Sequence, residues 1–272
     1  MKSMPSLTPT VLTIAGSDPY GGAGSQIDAK VIHALGGYAF SVTTALTAQN
    51  SKGVSAVQHT SPEIFRIQLE TLLDDVKVDA VKIGMLANTE LVEIVAQTID
   101  KYVLKNIVLD TVLVSSSGKE LLEPDAIEIM EKELFPRVDL ITPNLPEINM
   151  LLKSTYVGKE DELKEMAEAF FNKGVKAVLV KGGHSDDKDN ATDYLLTKHE
   201  TYTFSTARVK TTHTHGTGCF LSSAIAAGLA KGKTLDGSVS LAKDFLFKRL
   251  NESSNIQFNY KEKKVTRKEP LL

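Results

Sequence analysis

The chain of 272 residues is 42% hydrophobic, enough for one large α/β domain or two small ones around a sizeable core. Thirty-one Lys and Arg against thirty-four Asp and Glu leave a formal charge of -3, which excludes a general attraction to nucleic acid or anionic lipid and points to small-molecule partners. The single cysteine, Cys219, excludes an internal disulfide and a multi-cysteine zinc site, and fits a reducing, cytoplasmic setting. No apolar run approaches the roughly 18 residues that span a bilayer, so no membrane is expected.

Short runs of Val, Ile and Leu alternate with amphipathic stretches, the pattern of parallel strands buried beneath helices on both faces. Strands are predicted at Val11–Ala15, Ala39–Leu46, Ala80–Ile83, Asn106–Leu109, Asp139–Ile141 and Ala177–Val180. Helices are predicted at Gly24–Leu35, Pro62–Leu73, Thr89–Tyr102, Pro124–Leu134, Glu160–Asn172, Gly218–Ala230 and Leu235–Leu250. Pro62 and Pro124 suit first helical turns, where the missing N–H costs nothing. Thr192–Thr197 and Tyr202–Arg208 read as paired strands around Lys198-His199-Glu200, which makes one sheet edge antiparallel. No linker divides the chain, so residues 1–272 form one domain. Ser185 to Asn190 reads as a flexible segment, and the Lys-, Glu- and Asn-rich stretch after about residue 251 could be a mobile tail.

Four segments could carry chemistry. The first strand runs into Gly16-Ser17-Asp18-Pro19-Tyr20-Gly21-Gly22-Ala23-Gly24, whose glycines let backbone approach a ligand, although a plain tight turn explains them as well. It has neither the Gly-Lys-Ser/Thr ending of a Walker loop nor G-x-G-x-x-G spacing. Asp110 ends one strand, and Thr142-Pro143-Asn144-Leu145-Pro146-Glu147 follows another. Carboxylates at one sheet edge could hold Mg²⁺ directly or through its waters, or could simply cap turns and a helix. Lys181-Gly182-Gly183-His184 places a cation at a strand end, where it could neutralise a polyphosphate or merely be solvated.

Gly216-Thr217-Gly218-Cys219 is the most specific of the four, because it opens a clean helix whose first amides can receive an anion. At that position the helix dipole favours a Cys219 thiolate, which could assist proton removal; a small buried hydrophobe is the alternative. His213 and His215 are spaced to share one side of a strand, yet no third metal ligand accompanies them.

Together these segments resemble the ribokinase-like superfamily and, within it, the hydroxymethylpyrimidine/phosphomethylpyrimidine kinases of thiamine biosynthesis. The resemblance runs from about Val11 to about Leu250. Besides the four segments, it rests on Thr44-Ala45-Leu46-Thr47-Ala48-Gln49-Asn50, Lys82-Ile83-Gly84-Met85-Leu86 and Leu109-Asp110-Thr111-Val112. It implies a three-layer α/β fold with a mostly parallel sheet, and ATP-dependent phosphorylation of 4-amino-5-hydroxymethyl-2-methylpyrimidine and then of its monophosphate. By the same resemblance, Gly216, Thr217 and Gly218 would form an anion hole and Cys219 would act as base. Gln49, Asp18, Ala23, Gly24 and Val112 would bind the pyrimidine. Asn144, Lys181 and Gly182 would lie beside ATP, Asp110 and Glu147 would hold Mg²⁺, and the assembly would be a homodimer. Gln49 stands where some members carry glutamate, and Ser25 where an apolar residue is more usual. A pyridoxal kinase and a non-catalytic pyrimidine-binding protein are the alternatives.

Overall fold

The computed structural model describes residues 7–114, 121–184, 188–262 and 267–271. Nine strands form one sheet: β1 (Thr10–Ser17), β2 (Tyr38–Asn50), β3 (Gly53–His59), β4 (Ala80–Ile83), β5 (Ile107–Leu109), β6 (Leu140–Ile141), β7 (Ala177–Val180), β8 (Asn190–Thr197) and β9 (Thr201–Ala207). Their order across the sheet is β3-β2-β1-β4-β5-β6-β7-β8-β9. The strands from β2 to β7 run parallel, while β3 pairs antiparallel with β2, and β8 and β9 continue antiparallel from β7. Both edges are therefore antiparallel, where the sequence pointed to one.

The central strands bury both faces, and their alternation sorts side chains between two cores. In β1, Val11 joins one core and Leu12 and Ile14 the other; in β5, Val108 faces opposite to Ile107 and Leu109. The helices α1 (Gly24–Ala34), α7 (Thr217–Ala230) and α8 (Leu235–Glu252) cover the first face. The second is covered by α2 (Pro62–Leu73), α3 (Thr89–Tyr102), α4 (Pro124–Glu133), α5 (Leu145–Leu152) and α6 (Leu163–Asn172). The three-layer expectation is met, with β3 and α5 added to the predicted elements.

Among the described residues no helix is long and apolar enough to cross a membrane. Residues 185–187 of the segment expected to be flexible lie outside the described residues, as do 263–266 and 272 of the stretch after Asn251. Where mobility was the expectation for that stretch, residues 267–271 lie against the body, because Leu271 finds the core beside α7 and is 1% exposed.

Candidate active site

Parallel strands all deliver their carboxyl ends to one edge of the sheet, and ligands bind there, where neighbouring connections diverge. Along that edge runs a cleft of about 930 Å³. It is lined by Asp18, Ala23 and Gly24 after β1, Gln49 near the end of β2, Asp110 and Val112 after β5, Asn144 and Glu147 after β6, Lys181 after β7, and Gly216 to Cys219 at the start of α7. Gly182 is the exception among the predicted residues. Its amide donates to Asp193 Oδ1 at 2.8 Å, and a side chain on it would run into the Thr192 carbonyl, so it braces β8 instead of facing the cleft.

The start of α7 has the geometry of an anion site. Gly216 is its N-cap with φ 76°, a left-handed conformation that favours glycine, and a Cβ there would meet the Gly22 carbonyl at 1.7 Å. The first regular helical bond runs from Phe220 N to Gly216 O at 2.8 Å, leaving the Gly218 and Cys219 amides ahead of it. A Cβ on Gly218 would stand 3.5 Å from both Asp110 Oδ2 and Lys181 Nζ. The anion site, a carboxylate and an ammonium thus converge around a space that a side chain would fill.

Asp110 is buried and accepts from Lys181 Nζ at 3.1 Å, Thr142 Oγ1 at 3.1 Å and Ser222 Oγ at 3.3 Å. Burial alone would raise its pKa, but the charges of Lys181 and Lys82 outweigh that and hold it below the usual carboxylate value. Burial would likewise lower the pKa of Lys181; Asp110 and Glu147 reverse this and hold it above its ordinary value. Glu147 closes a capping box with Asn144 at the start of α5, its Oε2 accepting from Asn144 N at 2.9 Å and from Thr111 Oγ1 at 3.0 Å. The helix-cap alternative for Glu147 and Asn144 is therefore realised. It leaves Oε1 of a buried carboxylate for a further ligand. Two carboxylates beside a phosphate site suit Mg²⁺, which takes one or two protein oxygens and completes its shell with phosphates and water. Among the described residues there is no group of three or more His, Cys, Asp or Glu side chains that could hold a metal ion, and the rings of His213 and His215 contact Pro270, Glu269 and Asp18.

Cys219 departs from expectation in its ionisation. Burial pushes its thiol up to about 11, against the pull of Lys82; Asp28 and Asp110 push the same way as burial, and the Gly24 amide opposes them. In the free protein it is a thiol.

Lys82, part of a motif in the resemblance, and Asp28 are the residues beside the site to which sequence reading gave no role. Both side chains are wholly buried and paired at 2.8 Å beneath the anion site, and Asp28 also accepts from Thr13 Oγ1 at 2.5 Å and Ser223 Oγ at 2.7 Å. A lysine inside the otherwise apolar strand Ala80-Val81-Lys82-Ile83 was the available signal.

On the opposite wall, Asp18 Oδ2 accepts from Gly22 N at 3.0 Å, Ala23 N at 2.8 Å and His215 Nε2 at 2.9 Å. Burial acts to raise the Asp18 pKa, but the bond from His215 and those from the Ala23 and Tyr20 amides overcome it, so the group is a carboxylate and His215 Nε2 must be the donor. Gln49 Nε2 is placed 3.1 Å from that same nitrogen, and Gln49 Oε1 3.4 Å from Thr47 Oγ1. Thr47 spends its proton on Ser17 O at 2.9 Å. Turning the amide over removes the donor–donor clash: its oxygen then shares the one His215 N–H with Asp18, and its NH₂ donates to Thr47. Nearby, Val112 has φ 26°, a costly conformation for a β-branched residue and of the kind held at functional sites.

The chain is similar to curated enzymes along nearly its whole length. It is 43% identical over 249 residues to the hydroxymethylpyrimidine/phosphomethylpyrimidine kinase of Escherichia coli strain K12, covering 92% of this chain and 93% of that one. The enzyme of the same name from Rhizobium meliloti strain 1021 is 42% identical over 92% of this chain and 94% of its own. Among solved structures, phosphomethylpyrimidine kinase from Clostridium difficile 630 superposes with a TM-score of 0.78 at 39% identity, covering 88% of this chain and 98% of that one. Pyridoxal kinase of Bacillus subtilis, in an ADP complex, has a TM-score of 0.81 at 33% identity over 88% of this chain and 90% of its own. The profile of the phosphomethylpyrimidine kinase family matches residues 18–265, and with identities above 40% over 92% of its length the chain belongs to that family.

Proposed function

We propose that this protein transfers the γ-phosphoryl group of ATP to the hydroxymethyl group of 4-amino-5-hydroxymethyl-2-methylpyrimidine, and then to the resulting monophosphate, as a step of thiamine biosynthesis. The observation that carries the reading is the convergence of the α7 N-terminus, Asp110 and Lys181 at Gly218, within 3.5 Å of a Cβ built there. Phosphoryl transfer passes through a loose transition state whose charge lies on the transferred oxygens, so catalysis is mostly positioning and charge stabilisation. The Gly218 and Cys219 amides point at that charge, and Lys181 faces it as a fixed cation. Glu147 and Asp110 would hold Mg²⁺, directly or through water, and the ion would supply neutralisation of phosphate charge. Asn144 keeps Glu147 in place through the capping box, and Lys181 sits at a bridge to Asn144 between β6 and β7.

Cys219 takes up the hydroxyl proton. As a thiol in the free protein it must first release its own proton to solvent; Lys82 favours the resulting thiolate, although in the free protein burial outweighs that pull and holds the thiol at about 11. Gln49, its oxygen on His215 and one N–H on Thr47, keeps a lone pair and an N–H. A donor beside an acceptor complements the 4-amino group and adjacent ring nitrogen of an aminopyrimidine, an edge that pyridoxal lacks. We further assign the enzyme to the cytoplasm as a homodimer, in keeping with its single cysteine and its family.

ADP formation measured in parallel with the pyrimidine alcohol, its monophosphate and pyridoxal tests the proposal. Turnover with both pyrimidines well above that with pyridoxal is expected. A preference for pyridoxal would replace the reading with the pyridoxal kinase, and tight pyrimidine binding without ADP would replace it with a binding protein.

A further inference from the structure

The histidines of His213-Thr214-His215 are left without a role by the transfer chemistry, and the chain's end lies beyond residues 18–265 that match the family. The two meet. Backbone pairing joins His215 N to Glu269 O at 3.1 Å and Glu269 N to Thr212 O at 3.1 Å, with His215 bridged to Pro270. His213 is 6% exposed and spans the pairing with its ring: Nδ1 lies 2.8 Å from Pro270 O and Nε2 3.0 Å from Glu269 Oε2. Both partners are acceptors, on either side of the ring, so the ring donates across the pairing from whichever nitrogen carries a proton. Leu271, buried among α7 side chains, anchors the segment.

What the segment presses on is the pyrimidine side of the cleft. A Cβ on Gly22 would come within 2.4 Å of the His215 ring and 2.9 Å of Pro270, so the loop after β1, the histidine and the chain end are stacked without slack. His215 in turn holds Asp18 and orients Gln49, and the next residue is the Gly216 cap.

We propose that residues 267–271 form a strap that fixes the pyrimidine-binding wall, with His213 as its positioning residue. The role rests on the functional reading above for the identity of the ring, not for the mechanical link. Without the strap, the 212–215 segment is freed, His215 loses its fixed placement, and the Gln49 amide loses the partner that orients it. ATP, gathered on the Lys181 and Asn144 side, is spared.

The test compares the 272-residue chain with Leu271→Ala, His213→Ala, His213→Gln and a chain ending at Lys268. The expected result is a KM for the pyrimidine raised by about fivefold or more, the equivalent of one or two lost hydrogen bonds. The KM for ATP stays near wild type in every variant, the melting temperature does so in the His213 variants while Leu271→Ala lowers it by the usual cost of a buried cavity, and His213→Gln, which keeps one donor, falls between His213→Ala and wild type. Backbone amide exchange at residues 212–216 speeds up in the same variants, a readout independent of which ring is the substrate. Unchanged pyrimidine KM and unchanged exchange overturn the proposal. So does a parallel rise in both KM values with a lowered melting temperature, which marks general destabilisation. Should the shortened chain fail to fold, the point variants decide. Should the unaltered protein act on pyridoxal alone, the functional reading fails and the same comparison is made with pyridoxal.

Discussion

At Cys219 two effects pull in opposite directions and can be ranked. Its place in the first turn of α7 predicts a thiolate, because unsatisfied amides favour negative charge there. Burial is the larger effect and pushes the thiol up to about 11. Alkylation by iodoacetamide follows the thiolate fraction, which grows about tenfold per pH unit below the pKa. The ligand-free protein should therefore react slowly at neutral pH and faster with every unit up to about pH 11; a plateau near pH 7 would show an activated thiolate instead. In turnover, Cys219→Ala should lower kcat by roughly a hundredfold, the usual scale for losing a positioned base, with pyrimidine binding retained. Wild-type kcat in that variant, with the fold intact, would remove Cys219 from the mechanism.

The pair between β4 and α1 is where an element's packing and the site's charge are one problem. Lys82 and Asp28 are both fully buried, and a buried pair missing one partner typically costs about 3–5 kcal/mol, more than the intact pair contributes. Lys82→Met and Asp28→Leu should each show a loss of that order in urea unfolding, and the double variant should lose less than either. Additive losses would mean that the two charges are not coupled in the folded state. The central strands and most helices were legible because their apolar runs are short, continuous and bounded by turns. Two elements were not. The edge strand β3, Gly-Val-Ser-Ala-Val-Gln-His, is mostly half-exposed and carries little apolar pattern. The eight-residue α5 hides behind Pro146, and its cap residues Asn144 and Glu147 also read as ligands. That ambiguity was physical, since the capping box uses Oε2 and leaves Oε1 to the cleft.

Across the whole molecule, chain order foretold most of the predicted residues that line the cleft, Gly182 excepted, because every parallel strand ends on the same edge. It could not foretell which of them touch. The Asp110–Lys181 contact spans 71 positions and the His215–Asp18 contact 197, and no local pattern encodes either. The strap is the extreme case: its sequence is polar, and only the burial of Leu271 and the grip of His213 show that it belongs to the body. The central claim is that a single anion site, formed by the Gly218 and Cys219 amides with Lys181, performs both phosphoryl transfers. Phosphorus NMR of product formation by wild-type protein and Lys181→Met, started once from the pyrimidine alcohol and once from its monophosphate, tests it directly. Removing a fixed cation from transferring charge typically costs about 10²–10³ in rate, and the account predicts that both transfers fall together by that order. Loss of one transfer with the other left at its wild-type rate would contradict it.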